Sequence, residues 1–171
     1  MEAVSLILQT EANQPWGTPG QYLIDGLGYL KTLEPVNVGF PAGDYILQIY
    51  FSPEHGYFVP RFISPTDPKF ADRCIENHPG NICYDTHNCV LVGDGYGNID
   101  CAAAYNKIDP KTGKMDPRHY LGTVRGLTNS GVTFQHLMHD GKIDFGKPVY
   151  KDGVIIGYVG GTDIQVIRAV V

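Results

Sequence analysis

The sequence predicts a single mostly-β domain, a sandwich or barrel with one short helix and a long surface insertion. Three observations lead there. The 21 glycines and 12 prolines cut the 171 residues into short segments, which suits strands joined by turns better than a helical bundle. Eleven tyrosines and several β-branched runs supply residues that favour pleated structure. Hydrophobic residues at 43% against 18% charged allow one packed core and exclude a disordered chain. No internal repeat, low-complexity tract or linker divides the chain, so residues 1–171 are read as one domain.

Each element follows from local pattern. Residues 4–10 read as a strand, and 11–20 as a turn-rich loop holding the only tryptophan, Trp16. Residues 21–25 and 28–33 form two short strands around Gly26, a hairpin. A connector over 35–43 ends in Phe40-Pro41-Ala42-Gly43. The run 44–51 (DYILQIYF) is the strongest strand signal. Pro53, Pro60, Pro65 and Pro68 limit the next stretch to an edge strand near 57–63. Residues 94–121, rich in Gly, Asp and Lys, read as a surface excursion and as the insertion. Asn129 or Ser130 caps a helix over 130–139, with Val132, Phe134, Leu137 and Met138 as its apolar residues, and Gly141 ends it. Lys151-Asp152-Gly153 joins strands 147–150 and 154–159. Residues 162–171 close the chain as a strand. Both apolar ends are expected inside the sheet, near one another, because an exposed apolar edge invites aggregation.

Charge and hydropathy remove some function classes. With 13 Lys+Arg against 18 Asp+Glu the chain is formally −5, so no basic face for nucleic acid is expected. No run approaches the ~20 apolar residues that span a bilayer. The opening ten residues lack a basic region and their apolar run ends at Gln9, so no signal peptide is read and synthesis in a cytoplasm is expected.

The chemistry concentrates in one stretch. Cys74, Cys83, Cys89 and Cys101 fall within 28 residues, with His78 and His87 between them. Three readings compete. In nucleophilic catalysis a histidine holds a thiolate and shuttles protons; His78 and Cys89 lie eleven residues apart across a turn, and on a strand His87 would share a face with Cys89. A tetrahedral zinc site would use several of these side chains, but no Cys-x2-Cys knuckle is present. Disulfides Cys74–Cys83 or Cys83–Cys101 are the third reading, with small buried apolar side chains as the plain alternative. Asp85 and Thr86 are expected to cap the loop through side-chain-to-backbone bonds. Glu34 is either structural or orients the histidine. Arg61, Arg118 and Arg125 are candidates to bind a substrate carboxylate, and His136 and His139 read as solvated helix residues.

Thr86-His87-Asn88-Cys89-Val90 resembles the [Ser/Thr]-His-Gly-Cys-[apolar] signature of the YkuD-type L,D-transpeptidases, cysteine enzymes acting on peptidoglycan stem peptides. More of the chain resembles an uncharacterised phage and prophage family whose core is His-x-Gly-Asn followed by Asp-Thr-x-Gly-Cys and an apolar run to Gly. Here that core is His78-Pro79-Gly80-Asn81, then Asp85 through Gly93. Thr32-Leu33-Glu34-Pro35, Phe40 through Tyr45 and Leu127-Thr128-Asn129-Ser130 resemble its flanking elements.

The resemblance implies a YkuD-like β fold and a catalytic Cys89 assisted by His78 and His87. It also implies loop and oxyanion roles for Asn88, Asp85, Thr86, Gly80 and Asn81. The substrate would be a peptidoglycan stem peptide, and no metal or organic cofactor is needed. The protein would be carried on a virion or released to the cell wall, where other virion proteins or further copies of the chain are partners. Two departures favour a rival, a non-catalytic component of a phage particle such as a tail, baseplate, spike or head decoration. Asn88 replaces the usual glycine, and Leu91 stands where the transpeptidases carry Arg or Asn.

Overall fold

Leu6, Leu8 and Thr10 point inward and Gln9 outward, and this period of two makes β1 (Leu6–Thr10) a rib of the central sheet. The computed structural model describes residues 4–37 and 40–169. β1 pairs antiparallel with β2 (Thr18–Ile24), which turns into β3 (Leu27–Glu34). The turn residues Asp25 and Gly26 have φ of 51° and 79°, the left-handed geometry of a two-residue hairpin. β4 (Gly43–Ser52) and β5 (Tyr57–Ile63) form a second hairpin. β6 (Asn77–His78), β7 (Val90–Gly93), β8 (Gly95–Asp100) and a one-turn helix α1 (Cys101–Ala104) follow. Then come β9 (Thr123–Thr128), α2 (Ser130–His139), the hairpin β10 (Lys147–Lys151) and β11 (Val154–Val159), and β12 (Thr162–Ile167).

Eight strands make one sheet in the order β5-β4-β12-β1-β2-β3-β7-β6. Its two edges return to each other. The Phe62 N–H donates to the Ile75 carbonyl at 2.8 Å, and Arg61 bridges to Glu76 just before β6. The result is a nearly closed barrel, in keeping with the β class predicted. β5 ends the sheet order, which is why Pro60 is tolerated there.

The terminal strands lie side by side as expected: β12 runs parallel to β1, with Leu6 opposite Ile164 and Leu8 opposite Val166. The last strand ends at Ile167; residues 1–3 and 170–171, at the ends of the two terminal strands expected here, lie outside the described residues. Leu8, Tyr22, Leu47, Phe62 and Ile164 fill the interior, and Phe134 and Leu137 of α2 join the same core. Each such buried side chain contributes roughly 1.5–3 kcal/mol.

The stretch 94–121 is folded. β8 pairs with β9, and the Asp100 side chain caps α1 by accepting the Ala102 N–H at 3.1 Å. Cys101 and Tyr105 pack against Ile82.

Glu34 at the end of β3 is fully buried, and Arg168 beyond β12 reaches it with two bonds of 2.5 and 3.0 Å. Arg168 also donates to the Phe40 carbonyl at 3.1 Å and lies over the Phe40 ring. Glu34 is therefore structural. Burial pushes its carboxyl pKa up, and the Arg168 guanidinium opposes that shift. Arg168→Ala leaves a buried carboxylate without its partner and should cost about 3–5 kcal/mol. Urea denaturation measures this; a loss under about 1 kcal/mol would mean that the pair works as a solvated surface bridge.

Candidate active site

Val90, Leu91 and Val92 are fully buried in β7, and this strand fixes the residue before it. The Val90 N–H donates to the Glu76 carbonyl at 2.8 Å, so Cys89 is set against Glu76. The Glu76 N–H donates to Cys89 Sγ at 3.3 Å, and the thiol donates to the Cys74 carbonyl at 3.5 Å. The sulfur is thus buried and held by backbone on two sides.

Thr86 connects Cys89 to His78. Its Oγ1 accepts the Cys89 N–H at 2.9 Å and lies 3.3 Å from His78 Nε2. His78 Nδ1 faces the Pro79 carbonyl at 2.9 Å. A carbonyl only accepts, so Nδ1 carries the proton of the neutral ring and Nε2 is left to accept the Thr86 hydroxyl. Burial dominates the electrostatics. It pushes the Cys89 thiol up to about 11, with Glu76 and Glu54 adding to the shift, against hydrogen bonds from the Glu76 amide and the Thr86 side chain. Burial likewise lowers the His78 pKa, opposed by its bond to Pro79. Both shifts favour a resting pair of neutral thiol and neutral imidazole over an ion pair.

The loop between them is clamped. Asp85 accepts the Asn81 and Ile82 N–H groups at 2.6 and 3.1 Å, the Tyr105 hydroxyl at 2.7 Å and Arg118 Nη1 at 2.8 Å. The Gly80 N–H donates to Ser130 Oγ, whose hydroxyl donates to the Val92 carbonyl. The Asn81 carbonyl accepts the Leu127 N–H at 2.7 Å. Ser130, read as a helix cap, therefore anchors the loop, while Asn129 stands at the cap position with φ of 51° and donates to Asp94. The amides of Gly80, Asn81 and Cys89 are committed to side-chain oxygens in this conformation.

His87 and Cys89 do not lie on one strand. Residues 87 and 88 form a bend, the strand starts only at Val90, and His87 and Asn88 are exposed while Cys89 is buried. The Cys89 side opens on a cleft of about 440 Å³ that Glu54, His55, His78, His87, Asn88 and Arg118 help to line. A larger hollow of about 820 Å³ near Tyr29 and Lys142 holds neither cysteine nor histidine. Of the three arginines, Arg61 stacks on Tyr50 and Arg125 on Trp16, which leaves Arg118 at the cleft. Arg118 spends three N–H groups on Asp85 and Asp116 of the five it owns.

Cys74 and Cys89 line the cleft, whereas Cys83 and Cys101 lie in two separate clusters. All four are free; Cys83 packs with Leu33, Leu91 and Leu127, Cys101 lies in a second small cluster, and Cys74 is exposed. Sequence reasoning missed His55 and Glu76. They come from the β4–β5 turn and the residue before β6, with nothing in their spacing to join them. His55 stacks on His78 with ring centroids 4.6 Å apart, and Glu76 accepts the Tyr50 hydroxyl.

No family model matches the chain, and no curated protein or solved structure matches it.

Two measurements check this geometry. Asp85→Ala strips acceptors from two amides, Tyr105 and Arg118 and should cost about 2–4 kcal/mol in chemical denaturation, with Asp85→Asn milder. In a mass-spectrometric alkylation series the exposed Cys74 should react first. Cys89 should lag at neutral pH and accelerate as the pH climbs toward about 11. Equal rates at pH 7 would contradict the buried neutral thiol.

Proposed function

We propose that the protein is a cysteine-dependent acyl-transfer enzyme of peptidase or L,D-transpeptidase type, phage-associated and directed at peptidoglycan stem peptides. One observation carries the chemistry: Cys89 and the His78 imidazole line one cleft, with the Thr86 hydroxyl between His78 Nε2 and the Cys89 backbone amide. The peptidoglycan and phage assignments rest on the motif around His78 and Cys89 and on the flanking elements that accompany it.

The step follows from the neutral resting pair. As Cys89 Sγ bonds to the carbonyl carbon, the thiol proton leaves the Cys74 carbonyl and passes to His78. The scissile C–N bond then breaks, and the leaving amine takes that proton. Water or a second amine attacks the thioester, gives up its own proton to His78, and the thiol is restored. The guanidinium of Arg118 on the cleft wall suits a substrate carboxylate.

A second reading, a structural component of a phage particle, draws support from the β10–β11 hairpin. It stands apart from the main sheet and exposes Tyr150, Val154, Ile156 and Val159.

Incubation with muropeptides from candidate hosts separates the two. The wild type should trim or cross-link stem peptides, and Cys89→Ala should abolish this while costing only about 1–2 kcal/mol of stability. Equal inertness of folded wild type and variant on sacculi of the true host would favour the structural reading.

A further inference from the structure

We infer that Glu54, His55 and Glu76 form a binding site for one divalent transition-metal ion of the zinc type at the edge of the Cys89 cleft. His55 Nε2 and one carboxylate oxygen from each glutamate lie within 4.8 Å of one another. Glu76 is almost wholly buried at 1% exposure. One of its oxygens accepts the Tyr50 hydroxyl, while the other, Oε1, accepts no hydrogen bond. The buried His55 Nε2 also lacks a hydrogen bond, although it stands only 3.2 Å from that same Oε1.

The distance suits a hydrogen bond but the orientation does not. Two buried polar atoms this close with no hydrogen bond between them are costly unless positive charge is placed between them. A tetrahedral ion with ligand bonds of about 2.0–2.1 Å places neighbouring donors roughly 3.3 Å apart. The observed separation is already close to that edge.

The surroundings fit as well. The His55 ring packs against the rings of His78 and Tyr57, with centroids at 4.6 and 5.6 Å. The Tyr50 hydroxyl orients the Glu76 carboxylate from behind, as outer partners of metal ligands do. One imidazole with two carboxylates is a mixed donor set that suits zinc and its neighbours, whereas calcium and magnesium prefer oxygen alone. Three protein donors leave a fourth position free. Glu54 is exposed, and it lines the cleft together with His55, His78 and Cys89. The site goes beyond the thiol chemistry and does not depend on it.

Calorimetric titration of zinc chloride into the reduced, chelator-treated full chain tests the assignment. One equivalent should bind. His55→Ala and Glu54→Gln should each weaken binding by more than roughly tenfold. Because Glu54 is exposed, its variant keeps the test independent of folding. The double variant Cys74→Ser/Cys89→Ala should still bind one equivalent. Cobalt(II) added instead of zinc should show no thiolate-to-cobalt charge-transfer band. Absence of one-to-one binding by the wild type would overturn the inference. So would affinity unchanged in both the histidine and glutamate variants, or binding lost only with the thiols.

Discussion

The hydrogen bond from the Phe62 N–H to the Ile75 carbonyl closes the barrel, and the site depends on that closure. A sheet with two free edges would leave β5 and β6 with unpaired backbone and nothing to hold the segment before β6. Once the edges meet, Glu76 is trapped between β5 and β7. Its amide faces the Cys89 sulfur, its carbonyl takes the Val90 N–H, and its side chain turns toward Tyr50 and His55. One residue at the seam thereby sets the thiol, starts β7 and places a carboxylate under the cleft.

Burial at this seam explains why the thiol and imidazole rest neutral. Little water reaches either group, so the charged form of each is disfavoured. The hydrogen bonds around them fix position more than charge. The Thr86 hydroxyl is central because it serves the Cys89 amide and faces His78 with the same oxygen.

The sequence was most legible where pattern is local. The 130–139 helix, the 57–63 edge strand and the hairpin around Asp152-Gly153 follow from turn residues and from period alone. β8 and β9 were not legible. They carry Gly95, Gly97 and Gly126, which weaken any strand signal, and at least one of these glycines is required by packing. A Cβ on Gly126 would lie 2.0 Å from the Asn81 carbonyl oxygen, so only glycine lets β9 approach the loop. His78 and Cys89 come together because β6 pairs with β7 in parallel, with Asn77 opposite Val90 and His78 opposite Leu91. The strand reading of 87–89 does not hold, because residues 87 and 88 bend and β7 starts only at Val90. Partners contributed by distant turns, such as His55 with Glu76 or Glu34 with Arg168, leave no trace in spacing, since only closure of the sheet brings them together.

The stretch 94–121 is more than an appendage to this barrel. Tyr105 and Arg118 reach back from it to Asp85, the residue that also holds the Asn81 and Ile82 amides. The cleft is therefore fixed from two sides, by the seam through Glu76 and by the excursion through Asp85. A shift in the excursion has to move the Asp85 carboxylate, and with it the loop that runs on to Thr86 and Cys89. Asp85 is half-buried there, paired with an arginine that also grips Asp116. Glu76 thus holds the loop at its Cys89 end, and Asp85 holds it at Asn81 and Ile82.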